Sequence, residues 1–237
     1  MRASIKAELT AAAKKVLPRW LLEYVEQYRR FPPEERALYR KLRVRQALGI
    51  ADSSDHRAPG SVRALLFLCY GNIMRSPMAA ALLSAMLPGE QRDQFQIVSA
   101  GLHAHPNSAA DPRSVRIAPD FGVRLDHHRS TQLTRQMVAE ADAVFAMDRR
   151  NQVEFLALYP EAREKLFMLG AYAEPKLAEI PDPYTGDEDE LRRCYRVLEV
   201  SLRNLLRDLI REEPSPAGTR RRTETMRLGT PPGKMAK

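Results

Sequence analysis

Apolar positions follow changing rhythms along the chain, and those rhythms divide it into zones. Near the start, Leu17, Trp20, Leu21, Tyr24, Val25 and Tyr28 fall three and four residues apart, giving one apolar helical face flanked by Lys and Arg. Phe31-Pro32-Pro33 ends that segment. Glu34-Glu35 suit the first turn of a second helix running to about Leu48, because negative charge there meets the helix dipole. Residues 49–61 collect Asp, Ser, Pro and Gly and read as a linker. From residue 62 the pattern changes: short, nearly all-apolar runs at 62–68, 95–99, 143–147 and 165–169 alternate with helical segments at 77–87, 112–121, 134–139 and 151–158. A long closing helix at 187–210 carries Leu191, Tyr195, Leu198, Leu202, Leu205 and Leu209 on one side. Apolar strands separated by helices predict a single α/β domain with a four-stranded parallel sheet covered by helices on both faces, plus an N-terminal helical extension. The organisation is then an amphipathic extension at 1–48, a linker at 49–61, an α/β domain at 62–211 and a basic tail at 212–237. That tail has Pro, Gly, Thr and Arg without periodicity and is expected to be disordered.

Composition narrows the functional classes. At 237 residues and 44% hydrophobic, with a mean hydropathy of -0.44, the chain can bury a sizeable core. The apolar run ending at Cys69 is far too short to cross a bilayer. Glu8 and Lys14-Lys15 interrupt any apolar signal core, so a secretory leader is not expected and a cytoplasmic setting is. Two cysteines, Cys69 and Cys194, make no disulfide framework and suit a reducing compartment. Charge is uneven: residues 1–61 carry 13 Lys/Arg against 7 Asp/Glu, residues 62–213 carry 19 against 22, and residues 214–237 carry 6 against 1. An acidic centre argues against nucleic acid as partner. The amphipathic, basic residues 1–48 need a place to bury their apolar face. That place is the main domain, a second copy of the chain, a partner protein or an anionic membrane surface.

The candidate chemistry sits in LLFLCYGNIMRSP, residues 65–77. A parallel sheet binds ligands beyond the carboxyl ends of its strands, and Cys69 stands at such an end. The chain must then turn tightly before Ser76-Pro77 open a helix, with Ser a favoured cap and Pro belonging just inside the start. Gly71 and Asn72 are the residue types most willing to adopt positive φ. A loop of this kind, Tyr70, Gly71, Asn72, Ile73 and Met74, can turn its N–H groups inward as a nest, with the helix N-terminus adding its own donors. The result is a cradle of phosphate size. The same field favours the thiolate of Cys69, toward which Ser76 can donate. Arg75 brings a planar fork able to grip two phosphoryl oxygens while sulfur attacks phosphorus.

Cys69-x5-Arg75-Ser76, in the form Cys-x-Gly-Asn-x-x-Arg-Ser-Pro after an apolar strand, resembles the low-molecular-weight protein tyrosine phosphatases. The resemblance spans residues 62–211. It includes Ser99-Ala100-Gly101, His128-Arg129 ahead of Gln132-Leu133, Ala141-Asp142 through Met147-Asp148-Arg149, and Asp182-Pro183-Tyr184. It implies a phosphoric monoester hydrolase that cleaves phosphotyrosine, in a protein or as a small aryl phosphate, through a cysteinyl-phosphate intermediate. Asp182, held between two prolines, is then general acid and later general base. Tyr70 and Tyr184 are placed to flank a phenyl ring.

The same likeness implies no cofactor and no metal. His103, His105, His127 and His128 have no carboxylate or thiol at ligand spacing and suit surface or packing roles. Where the family often has an aromatic residue after Ser-Ala-Gly, the segment 102–106 carries histidines, a more polar rim. Related arsenate reductases use extra cysteines in mid-domain, which are absent here, and Met74 replaces the protective cysteine of some members. Ile73 fits a tyrosine phosphatase better than the threonine of relatives that cleave phosphoarginine. The alternative from a different class is a phosphoprotein-binding adaptor module that holds phosphate with little turnover.

Overall fold

The structure, a computed structural model, describes residues 28–29 and 31–211. The expected first amphipathic segment falls largely outside the described residues, as does the tail from 212 on. The second helix of the extension, α1 (Pro33–Ala47), starts with Pro in its first turn beside Glu34 and Glu35. Its buried Tyr39 and Leu42 join Phe31 and Val153 in a small apolar cluster. Of the places open to this segment, the main domain receives α1.

Residues 49–61 have the composition of a linker, yet they are tied down. Asp52 and Asp55 cap a short 3-10 turn reciprocally. Asp55 then pairs with buried Arg149 at 2.7 Å, and the Gln152 amide donates to Ser54 Oγ at 2.7 Å. The Ala58 N–H donates to the Tyr172 hydroxyl. These partners lie about a hundred positions away in the chain.

Four parallel strands follow: β1 (Ala64–Cys69), β2 (Gln96–Gly101), β3 (Ala143–Ala146) and β4 (Leu166–Met168), in the order β2-β1-β3-β4. Helices α2 (Arg75–Met86), α3 (Pro112–Ile117), α4 (Arg135–Glu140), α5 (Arg149–Leu158) and α6 (Glu188–Arg211) connect and cover them. The two-residue period of β1 splits the core. Leu65, Phe67 and Cys69 face α2 and α6 with Phe145, Leu198 and Leu202, while Leu66 and Leu68 face Val144, Phe155 and Leu156. Both faces of the sheet are therefore apolar, which is why its strands read as unbroken hydrophobic runs. The α6 stripe of Leu191, Tyr195, Leu198, Leu202, Leu205 and Leu209 is buried throughout.

The chain runs from β1 outward to β2, then back across β1 to β3. That reversal opens a crevice beyond the carboxyl ends of β1 and β3, the place where open α/β sheets bind ligands. Cys69 ends β1 there, and Asp148 follows β3 there. Among the described residues no helix is long and apolar enough to cross a membrane.

The Asp55–Arg149 pair supplies a stability test. Removing Asp55 leaves a buried guanidinium without its carboxylate, so Asp55→Ala should lower the free energy of unfolding by about 3 kcal/mol. Glu161→Ala, which breaks the exposed Arg135–Glu161 pair, should leave the urea midpoint unchanged. Equal effects from the two would contradict the account.

Candidate active site

The turn after β1 is built around one buried asparagine. Asn72 has a φ of 53°, and no part of it reaches solvent. Its side-chain amide donates to Ser76 Oγ and Ser99 Oγ, each at 2.9 Å, and its Oδ1 accepts the Thr131 N–H at 2.8 Å. Its backbone N–H points at Cys69 Sγ at 3.3 Å. His128 Nε2 donates to its carbonyl at 2.7 Å. Every polar group of Asn72 thus has a partner, which offsets the cost of the left-handed conformation. Gly71 does not take positive φ; Asn72 alone carries the turn.

Four carbonyls of the turn are held by partners outside it. Those of Cys69, Tyr70 and Ile73 accept from the N–H groups of Leu102, His103 and Asp111 at 2.8–3.0 Å, and that of Asn72 accepts from His128. In a trans peptide the C=O and the following N–H point opposite ways, so the N–H groups of Tyr70, Gly71, Ile73 and Met74 turn inward. Gly101 lets the loop lie this close to β2. A Cβ there would come within 2.8 Å of the Tyr70 carbonyl oxygen and 2.9 Å of the Asn72 nitrogen.

Ser76 does not cap α2, contrary to the reading of Ser-Pro as a helix start. The helix begins at Arg75, Met74 stands at the cap position, and no side chain caps it. The Ser76 hydroxyl is thereby freed for other partners. It lies 3.0 Å from Cys69 Sγ, accepts from Asn72 and reaches the Ala100 carbonyl at 3.3 Å. Cys69 is buried but not sealed in apolar packing, since a hydroxyl and an N–H converge on its sulfur.

Arg75 is 2% exposed, and its charge is met on two sides. One terminal nitrogen lies 2.6 Å from Asp148 Oδ2 and 3.2 Å from the Ile180 carbonyl oxygen. The other lies 2.8 Å from Asp182 Oδ2. Burial alone would lower its pKa, but Asp148, Asp182 and Cys69 override that and raise it, so the guanidinium is fixed. Asp148 also caps α5 by accepting the Asn151 N–H at 2.8 Å. Asp182 is 47% exposed at the mouth of the crevice, where it accepts the Tyr184 N–H at 3.2 Å.

The rim residues are open to solvent, Tyr70 at 37% and Tyr184 at 59%. The Tyr70 ring lies 4.2 Å from the Arg150 guanidinium carbon and 4.6 Å from the His103 ring. Arg150 and His103 both contact Glu154 at 2.8 Å. Arg113 holds the other side, donating to the Tyr184 carbonyl at 3.0 Å and the Gly186 carbonyl at 2.7 Å. Cys194, on α6, donates to the Pro181 carbonyl at 3.7 Å. Burial pushes its thiol up to about 12, Arg75 pulling the other way, which favours the protonated thiol. Among the described residues no group of three His, Cys, Asp or Glu is placed to hold a metal ion.

Sequence reasoning thus named Cys69, Arg75, Ser76 and Asp182, which the structure brings together around one crevice. It gave no role to Asp148, Ser99 or Gly101 and read His128 as a surface or packing residue, although all four lay in stretches similar to the family.

The family model described as low molecular weight phosphotyrosine protein phosphatase matches residues 64–215. The low molecular weight protein-tyrosine-phosphatase Etp of Escherichia coli (strain K12) is 36% identical over 135 residues, 57% of this chain and 86% of that protein. Among solved structures, the arginine phosphatase YwlE of Geobacillus stearothermophilus has a TM-score of 0.57 at 32% identity, covering 63% of this chain and 94% of its own. The tyrosine phosphatase AmsI of Erwinia amylovora has a TM-score of 0.56 at 32% identity, covering 62% and 92%.

Two measurements test this site. Burial, with Arg129 adding to it and the bond to Asn72 opposing it, holds the His128 pKa below its usual 6.5. The fold therefore favours the neutral ring. That contribution to stability is whole above the unfolded value and is lost as pH falls from about 6.5 toward the folded pKa. The urea midpoint should drop between about pH 7.5 and about pH 5.5 by more in the wild type than in His128→Gln. Separately, Gly101→Ala must push the Tyr70–Asn72 backbone. Its kcat/KM on an aryl phosphate should fall roughly a hundredfold, the scale of a 1 Å misplacement. An unchanged rate would mean that the loop has room to spare.

Proposed function

Because the chain belongs to the low molecular weight phosphotyrosine protein phosphatase family, we propose that Cys69 is the nucleophile of a two-step phosphotyrosine hydrolysis. The phosphoryl group sits in the turn, its equatorial oxygens met by the inward N–H groups, the α2 N-terminus and the Arg75 fork. Cys69 Sγ attacks in line: the S–P bond forms, the bond from phosphorus to the phenolic oxygen breaks, and Asp182 delivers its proton to that oxygen. Water then attacks the cysteinyl phosphate, passes a proton to Asp182 and releases inorganic phosphate. Ser76, beside the sulfur, stabilises the thiolate as it leaves.

One observation carries this reading: an N–H and a hydroxyl converge on Cys69 Sγ while the Arg75–Asp182 pair stands at the mouth of the same crevice. A phosphate dianion entering the turn competes with Asp182 for the guanidinium, freeing the carboxyl group for proton transfer. Arg75 remains anchored to Asp148 and the Ile180 carbonyl throughout. Tyr70 and Tyr184 flank the leaving phenol, and Gly71, Asn72, Ile73 and Met74 line the phosphate seat.

The substrate is a phosphotyrosyl protein, and the setting cytoplasmic. The basic charge of residues 1–61 supports a second task for the extension, docking to a partner or an anionic membrane surface. A likeness to a solved arginine phosphatase supports one other reading, phosphoarginine as substrate. Ile73, a bulky residue inside the turn, favours tyrosine.

Hydrolysis of aryl phosphates and of matched phosphotyrosyl and phosphoarginyl peptides tests these assignments. Cys69→Ser should lose roughly a thousandfold or more in kcat. Asp182→Ala should lose roughly 10²–10⁴-fold on the poorest leaving groups and much less on the best. Full turnover by Cys69→Ser would refute the mechanism. A preference for the phosphoarginyl peptide would overturn the substrate, and stoichiometric phosphate binding without release would favour an adaptor.

A further inference from the structure

The helix α1 lies outside the span matched by the family, yet one of its side chains reaches the loop that carries Asp182. Arg43 Nη1 is 2.5 Å from Glu179 Oε1, and its Nε donates to the hydroxyl of Tyr39 at 3.0 Å. Tyr39 is fully buried against Phe31, Leu42 and Val153, so the guanidinium is held from a fixed base. The other carboxylate oxygen of Glu179 accepts the Arg149 N–H at 3.0 Å, at the first turn of α5. Glu179 is thus clamped between the extension and the helix whose cap residue, Asp148, holds Arg75.

The next residues lead directly to the acid. Ile180 is buried, donates its N–H to the Met147 carbonyl at 2.7 Å and accepts from Arg75 at 3.2 Å. Pro181 follows, and then Asp182. Pro181 and Pro183 fix φ on either side of Asp182, so the direction in which the loop carries Asp182 is set where the segment before it is anchored. Upstream, the Leu177 N–H is held by the Gly170 carbonyl. Without Arg43, Glu179 keeps a half-buried negative charge beside an N–H alone, and solvating that charge pulls the segment outward.

We propose that Arg43 is a positioning residue for the Asp182 loop, so that the helix preceding the α/β domain is a working part of the site rather than only a tether. The inference rests on the reading of Asp182 as general acid. Arg43 touches no substrate; it sets through Glu179 where the carboxyl group stands when the phenol leaves.

The test uses the full chain as wild type, Arg43→Ala, Glu179→Gln, Asp182→Ala and the Arg43→Ala/Asp182→Ala double variant. Each is assayed on aryl phosphates that span good and poor leaving groups. Arg43→Ala should lower kcat roughly tenfold on the poorest leaving group, with little loss on the best and KM nearly unchanged. Added to Asp182→Ala it should cost nothing further, because the group it positions is gone. Glu179→Gln keeps the side-chain volume and an oxygen for the Arg149 N–H, and should show the same dependence; it carries the test if Arg43→Ala fails to fold. A loss equal on all esters, full additivity with Asp182→Ala, or no loss at all would overturn the inference. If Asp182→Ala itself lacks leaving-group dependence, the assignment of the acid falls first, which is a different result.

Discussion

A positive charge with almost no access to water organises this molecule. Arg75 is 2% exposed, and a buried guanidinium is tolerated only where anions and carbonyls surround it. Asp148 comes from the end of β3, Ile180 and Asp182 from the loop before α6, and Cys69 from the end of β1. Elements far apart in sequence are therefore required to meet at one point. The strand order β2-β1-β3-β4 makes that meeting possible, since β1 and β3 are neighbours whose carboxyl ends open on the same crevice. The electrostatic need and the topology specify each other.

The first turn of α5 serves as a junction for the same charge. Asp148 caps it and binds Arg75; the Arg149 N–H binds Glu179, and the Arg149 side chain binds Asp55. Through these bonds the segments before residue 62 join the site. Arg43 meets the loop that carries Asp182, and Asp52, Ser54 and Asp55 meet α5. An extension that looks separate in sequence is packed against the machinery it precedes.

What the sequence made legible was contiguous chemistry. Cys69, Asn72, Arg75 and Ser76 lie within eight positions of one another, so strand-end logic and turn chemistry bring them together without knowledge of the fold. The strands and the stripe on α6 were legible because both sheet faces are buried, which leaves unbroken apolar runs and a clean helical period. The rest depended on contacts across the chain. Ser-Pro suggested a cap, but the helix starts earlier and the Ser76 hydroxyl is drawn to sulfur. Gly71 and Asn72 are both residue types that tolerate positive φ; only Asn72 takes it, because its side chain finds Ser76, Ser99 and Thr131 there. His128 read as a surface or packing residue, and its bond to the Asn72 carbonyl is visible only once residues 56 positions apart are brought together. Residues 49–61 had a linker's composition, which is blind to the buried partners Arg149 and Gln152.

Phosphorus bound to sulfur is the most direct sign of the proposed chemistry. Asp182→Ala, mixed rapidly with an aryl phosphate whose leaving group needs no proton, should form the intermediate faster than it can activate water to remove it. Acid quenching followed by mass spectrometry of the peptides should then find a phosphoryl group on the peptide containing Cys69, attached at its sulfur. Phosphorus on any other residue, or product released with no phosphorylated protein at any time, would contradict the account.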